Sequence, residues 1–242
     1  MNAGGCVFVG IPGKRLDRST AALLAAAQPG GVVLFGRNLE TAEQLLGLVA
    51  GLRRLLPQAV LAIDAEGGRV DRLSALAGPA PAASLLARWP PDAARSTGRC
   101  IARALRLFDL DLDLAPVVDL DHGETGNALD GRYLGMRGPA VTQRARAFLR
   151  GLHSAGVGGC LKHFPGLGAA AEDTHHRTSA VRLSAAALAL HRKPFEALAP
   201  LAGAVMVAHA VYPALDPEER PASLSPPVIE GLLRGEMGFD GL

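Results

Sequence analysis

The chain has 242 residues, close to the roughly 250 of an (α/β) barrel, with 49% hydrophobic and 20% charged side chains. That composition supports a large core and excludes wholesale disorder. An aromatic content of 4% and a formal charge of +2 exclude an aromatic stacking platform or a basic field for nucleic acid.

Cys6, Cys100 and Cys160 are far apart and give neither a disulfide framework nor a CxxC metal site. The amino terminus MNAGGCVFVG lacks a basic region ahead of an apolar stretch, and no run reaches the ~18 apolar residues of a membrane span. The expectation is a soluble cytoplasmic protein. Only three of the basic residues are lysines, Lys14, Lys162 and Lys193, so a lysine inside a motif carries information.

Taken in chain order, β-like runs at residues 6–11, 31–35, 60–64, 112–119, 158–163 and 205–209 alternate with helical stretches. The helices are expected at 41–56, 91–107, 139–155 and 184–199, with Thr41 and Ser184 as N-caps. A proline-rich loop at 78–81 precedes the second of these helices, and no linker or composition break divides the chain. A single domain over 1–242 is expected. Two α/β architectures compete. The first strand ends in Val9-Gly10-Ile11-Pro12-Gly13-Lys14, which is neither the dinucleotide fingerprint of a doubly wound sheet nor a P-loop. Polar residues instead gather at the carboxyl ends of several strands: Asp64 and Glu66, Asp119, Lys162 and His163, and His209. That distribution favours a TIM (β/α)8-type barrel, of which about six of the eight βα units can be counted.

The densest polar segment is LKHFPGLGAAAEDTHHRTSAV. Lys162 and His163 close a strand, Gly166 and Gly168 free the backbone, and Asp173 stands two residues before His175. A carboxylate accepting from one imidazole nitrogen leaves the other to give and take a proton within one cycle. An exposed loop with incidental histidines is the plainer alternative. In LAIDAEGGRVDRL, Asp64 ends a strand and Gly67-Gly68 permit a tight turn bringing Arg69 and Arg72 back over the mouth. A carboxylate beside a guanidinium grips vicinal hydroxyls, although the same pair could merely close a loop. In DLDLAPVVDLDHGETGNALDGRYLG, Asp119, Asp121 and His122 follow one another too directly to converge on one ion. Asp119 reads as a loop-holding residue and Arg132 as a further hydroxyl-recognition candidate.

Six phrases in order, GVVLFGRN, IDAEGGRVDRL, DLAPVVDL, KHFPGLG with its downstream D-T-H, AVMVAHAVYP and SLSPPVIEGLLRGEMGFDGL, resemble the N-terminal barrel of family 3 glycoside hydrolases. Within that family they resemble the single-domain β-N-acetylhexosaminidases of bacterial peptidoglycan recycling. The resemblance implies that Asp64, Arg72, Arg132, Lys162 and His163 bind the terminal sugar. It implies that Asp173 and His175 form the acid/base dyad of a retaining double displacement, an exception to the two-carboxylate rule. Leu167 stands where the family usually has histidine, Ala65 replaces a common glutamine, and GRYLG is a loose match to the arginine segment. The family's nucleophilic aspartate follows the GFDGL phrase on a seventh strand, and this chain stops at Leu242. The implied partner is a GlcNAc-containing muropeptide or oligosaccharide, with no cofactor, metal, nucleic acid, membrane or protein partner indicated. A catalytically impaired GlcNAc-binding relative is the alternative. A metal-dependent hydrolase using Asp64, His175 and His209 is a third reading.

Overall fold

The computed structural model describes residues 3–123, 129–170 and 179–242. Strands β1 (Phe8–Gly10), β2 (Gly31–Leu34) and β3 (Val60–Ile63) alternate with helices α1 (Arg18–Ala27) and α2 (Ala42–Leu55). A small hairpin of β4 (Ala65–Gly67) and β5 (Val70–Asp71) follows, then α3 (Ser74–Ala77), α4 (Ala83–Leu86) and the long α5 (Pro91–Leu107). Strands β6 (Leu112–Asp113), β7 (Gly158–Phe164) and β8 (Ala204–Val207) enclose α6 (Gly138–His153) and α7 (Ala185–Leu198). A π-wound helix, α8 (Pro227–Glu236), comes last.

The main sheet has six strands in the order β1-β2-β3-β6-β7-β8, every pair parallel. Each strand lies beside its neighbour in the chain, with the hairpin set apart, as short uncrossed connections favour. The architecture is a six-stranded parallel half-barrel. Along the free edge of β8, Leu242 donates to Gly203 O at 3.2 Å and accepts from Val205 N at 2.8 Å.

Local chemistry explains most element boundaries. Thr41 Oγ1 accepts from Gln44 N at 3.1 Å and Ser184 Oγ from Ala187 N at 3.2 Å, so both expected caps start their helices. Asp17 caps α1 through Thr20 N at 2.7 Å. Sequence reasoning did not mark that helix, whose run RSTAALLAAA carries propensity but few polar residues to show a face. The fourth strand, expected over 112–119, is regular only for Leu112–Asp113. Pro116 has no amide hydrogen to offer a ladder, and pairing resumes beyond it where Val118 N donates to Lys162 O at 2.9 Å.

Alternation along the strands sorts the core onto two faces. Leu61 and Ile63 join Leu45, Leu48, Val49 and Leu52 of α2, spaced on one helical stripe, in the main apolar layer. Val60 and Ala62 face the other way, with Leu114, Cys160 and Ala204. Glycines bring α5 and α6 together. A Cβ on Gly98 would sit 2.3 Å from Phe148 O, and one on Gly151 would sit 2.3 Å from Arg95 O. We expect Gly98→Ala to lower the unfolding free energy in urea by about 2 kcal/mol, because backbone must move to admit the methyl group. Gly47→Ala on α2, where the added methyl meets nothing within 4 Å, should stabilise by about 0.5–1 kcal/mol. Equal effects from the two substitutions would contradict this account of the α5–α6 contact.

Candidate active site

The face that carries Val60 and Ala62 on β3 next presents Asp64, and the face that carries Cys160 on β7 next presents Lys162. Both strands are parallel, so these polar side chains emerge at the same carboxyl end of the sheet. Lys162 Nζ lies 2.8 Å from Asp64 Oδ1 and 2.5 Å from Glu66 Oε1, with 2% of its side chain exposed. Glu66 also receives a fork from Arg132, Nε to Oε2 at 2.8 Å and Nη2 to Oε1 at 2.7 Å. Two carboxylates and two cations thus form one balanced cluster.

Burial alone would drive the Lys162 ammonium towards its neutral form. The charges of Glu66 and Asp64 and their hydrogen bonds reverse that, and its pKa ends above the ordinary lysine range. Burial likewise pushes Glu66 up, but Lys162 and Arg132 together bring it below the usual carboxylate range. The cluster therefore stays ionic at neutral pH, with Asp64 the more exposed carboxylate of the pair at 16%.

The turn between β4 and β5 needs its glycines: Gly67 and Gly68 have φ of +87° and +62°. It brings Arg72 N to Asp64 O at 3.0 Å, a backbone contact and not the pairing of carboxylate and guanidinium that the sequence suggested. The Arg72 side chain is exposed and forms no ion pair among the described residues. The structure gathers Asp64, Arg132 and Lys162 but does not bring the Arg72 guanidinium into the cluster.

Asp119 organises the neighbouring loop. Its Oδ2 lies 2.8 Å from His163 Nδ1 and accepts from His163 N at 3.1 Å, while Oδ1 accepts from Leu167 N at 2.6 Å. An accepting carboxylate at Nδ1 places an imidazole proton there, and Nε2 has no hydrogen-bond partner among the described residues. Leu167 itself is buried in the core. Beneath the loop, His191 of α7 packs against Gly166 and places its Nε2 3.0 Å from His122 Nε2. Burial and the His122 charge hold His191 below the usual histidine range, against the pull of Asp119. Tyr212 donates to Gly166 O at 3.1 Å from the other side. His209, at the end of β8, has its Nδ1 2.7 Å from Ser223 Oγ. Asp173 and His175 lie outside the described residues.

Sequence reasoning missed the role of Glu66. It stood at a strand end in plain view, but nothing in D-x-E spacing says that one carboxylate will serve both Lys162 and Arg132. Among the described residues, no group of three or more His, Cys, Asp or Glu side chains could hold a metal ion. Nor is any helix there long and apolar enough to cross a membrane.

Residues 6–242 match the glycosyl hydrolase family 3 N-terminal domain. The chain belongs to that family. It is 36% identical to a β-hexosaminidase of Pseudomonas aeruginosa over 244 residues, which covers 98% of this chain and 72% of the relative. Identity to the β-hexosaminidase of Xanthomonas axonopodis pv. citri is 39% over 249 residues, with the same coverage of 98% and 72%. NagZ from Neisseria gonorrhoeae in complex with N-trifluoroacetyl-D-glucosamine superposes with a TM-score of 0.90 at 34% identity, covering 98% of this chain and 72% of that one. A family 3 β-N-acetylglucosaminidase from Paenibacillus gives a TM-score of 0.92 at 34% identity, covering 99% and 47%.

Within this family 3 half-barrel, Glu66→Gln should leave Arg132 and Lys162 underpaired in a buried site and lower stability in urea at pH 7 by about 3 kcal/mol. Because the folded-state pKa of Glu66 is depressed, its contribution is full above the ordinary carboxyl value of 4.5 and is lost as pH falls through the lower folded value. The gap between wild type and Glu66→Gln should therefore narrow at acid pH. A gap that widens on acidification would contradict the assignment.

Proposed function

We propose that this chain supplies the sugar-binding face of a β-N-acetylhexosaminidase that removes terminal non-reducing β-linked GlcNAc with retention of configuration. The observation that carries the reading is the Lys162 ammonium held between Asp64 and Glu66, with Arg132 behind, at the carboxyl end of a parallel sheet. Asp64 keeps lone pairs for sugar hydroxyls, and Lys162 and the free His163 Nε2 add a donor and an acceptor beside it. That mixture suits vicinal hydroxyls, and its bonds strengthen as charge develops on the ring. Family membership at 36% identity and the ligand named for the NagZ structure support the same class of substrate.

In this reading His175, oriented by Asp173, protonates the leaving oxygen and then activates water against the glycosyl-enzyme. The attacking aspartate is assigned to no residue of this sequence. Arg72 would reach the sugar by reorienting its exposed side chain. GlcNAc-containing muropeptides of cell-wall recycling, in the cytoplasm, are the proposed physiological substrates.

Calorimetry with GlcNAc beside a chromogenic aryl β-GlcNAc assay tests the proposal. Binding with turnover supports the hydrolase, and binding without turnover supports the impaired relative. Asp64→Asn should weaken GlcNAc at least about tenfold, the effect of losing one charged hydrogen bond. No binding by the wild-type chain contradicts both readings. Where turnover is seen, His175→Ala should slow poor leaving groups strongly while an activated aryl leaving group recovers much of the rate. Equal losses on both would exclude His175 as the acid.

A further inference from the structure

Asp113 is a buried carboxyl beside the ion cluster that the proposed chemistry does not use. It is 0% exposed and sits on β6 in register with Ile63 of β3. Its Oδ1 accepts from Ala65 N at 3.0 Å, while Oδ2 has no hydrogen-bond partner among the described residues. Ala65 is the residue between Asp64 and Glu66, the two carboxylates that hold Lys162 from either side. An unpartnered buried carboxyl oxygen is costly, so the bond its other oxygen makes calls for explanation.

We propose that Asp113 is a positioning residue for the sugar-binding site: its Oδ1 anchors the Ala65 amide and so sets the spacing of Asp64 and Glu66 around Lys162. Charge counting shows the form in which it does so. Asp64 and Glu66 already contact Lys162, and Asp113 makes no ion pair with a cation among the described residues. Burial accordingly holds the Asp113 carboxyl well above its usual range; the Ala65 amide and Lys162 oppose this, and Asp64 and Glu66 reinforce it. The group acts as a neutral acceptor, which an asparagine can replace without loss.

The consequence for sugar binding rests on the function proposed above, whereas the consequence for Lys162 does not. The test therefore reads both in the whole chain, using Asp113→Asn and Asp113→Leu. The first readout is the 15N–1H signal of the Lys162 ζ-ammonium. Lys14 and Lys193, the other lysines, are exposed and serve as internal controls. The second readout is calorimetric affinity for GlcNAc. Asp113→Asn should leave the Lys162 signal in place and the affinity within twofold of wild type. Asp113→Leu, branched alike but larger and lacking the acceptor, should displace or broaden the Lys162 signal and weaken GlcNAc at least tenfold.

An unchanged Lys162 signal and affinity in Asp113→Leu, with only a lowered melting temperature, would show a merely structural group and overturn the proposal. A displaced Lys162 signal in Asp113→Asn would overturn it too, and that variant decides alone if the leucine variant does not fold. If wild type binds no GlcNAc, the functional reading fails and the Lys162 signal still decides the role of Asp113.

Discussion

An ammonium group with 2% of its side chain exposed cannot stay charged in a protein interior unless opposite charge lies in contact with it. Lys162 meets that condition with Asp64 and Glu66, and Glu66 stays ionised in turn because Arg132 forks onto it. Each of these side chains comes from a different stretch of the chain: the end of β3, the hairpin that follows it, the loop before α6, and β7. The cluster forms only when the parallel sheet sets β3 and β7 in register through β6. Fold and site are thus one constraint, since the ion pairs that keep these buried groups charged join residues from separate elements.

Asp119 extends the same logic to the backbone. By accepting from His163 N and Leu167 N and meeting the His163 ring, it fixes the path of the strand-to-loop passage at the mouth. Tyr212 and His191 close on Gly166 from other elements, so the segment that leads towards Asp173 and His175 starts from a fixed base. Rigid polar groups below a loop are what a site needs when its ligand is recognised by several hydroxyls at once.

Much of this was legible in the sequence because local rules govern it. Thr41 and Ser184 announce their helices, and Asp64, Lys162 and His163 announce the carboxyl end of their strands. The half-barrel followed from the alternation of such segments and from polar residues at strand ends. What was not legible is long-range. Glu66 and Asp113 take their meaning from residues about fifty to a hundred positions away, which no spacing rule reports. Arg72 is a different case: it follows the two-residue strand β5 with an exposed side chain that makes no ion pair with the cluster among the described residues. The shortened fourth strand reflects a single missing donor at Pro116, a detail that the apolar pattern around it concealed.

In the proposed function the Lys162-centred cluster is a sugar-binding surface and not only a buried structural ion network. A crystal structure of the chain soaked with GlcNAc tests that claim most directly. The expected result is one sugar at the carboxyl end of the sheet, with hydroxyls within hydrogen-bond distance of Asp64 Oδ, Lys162 Nζ and His163 Nε2. A sugar bound elsewhere, or an unchanged cluster with no sugar beside it at saturating concentration, would contradict it.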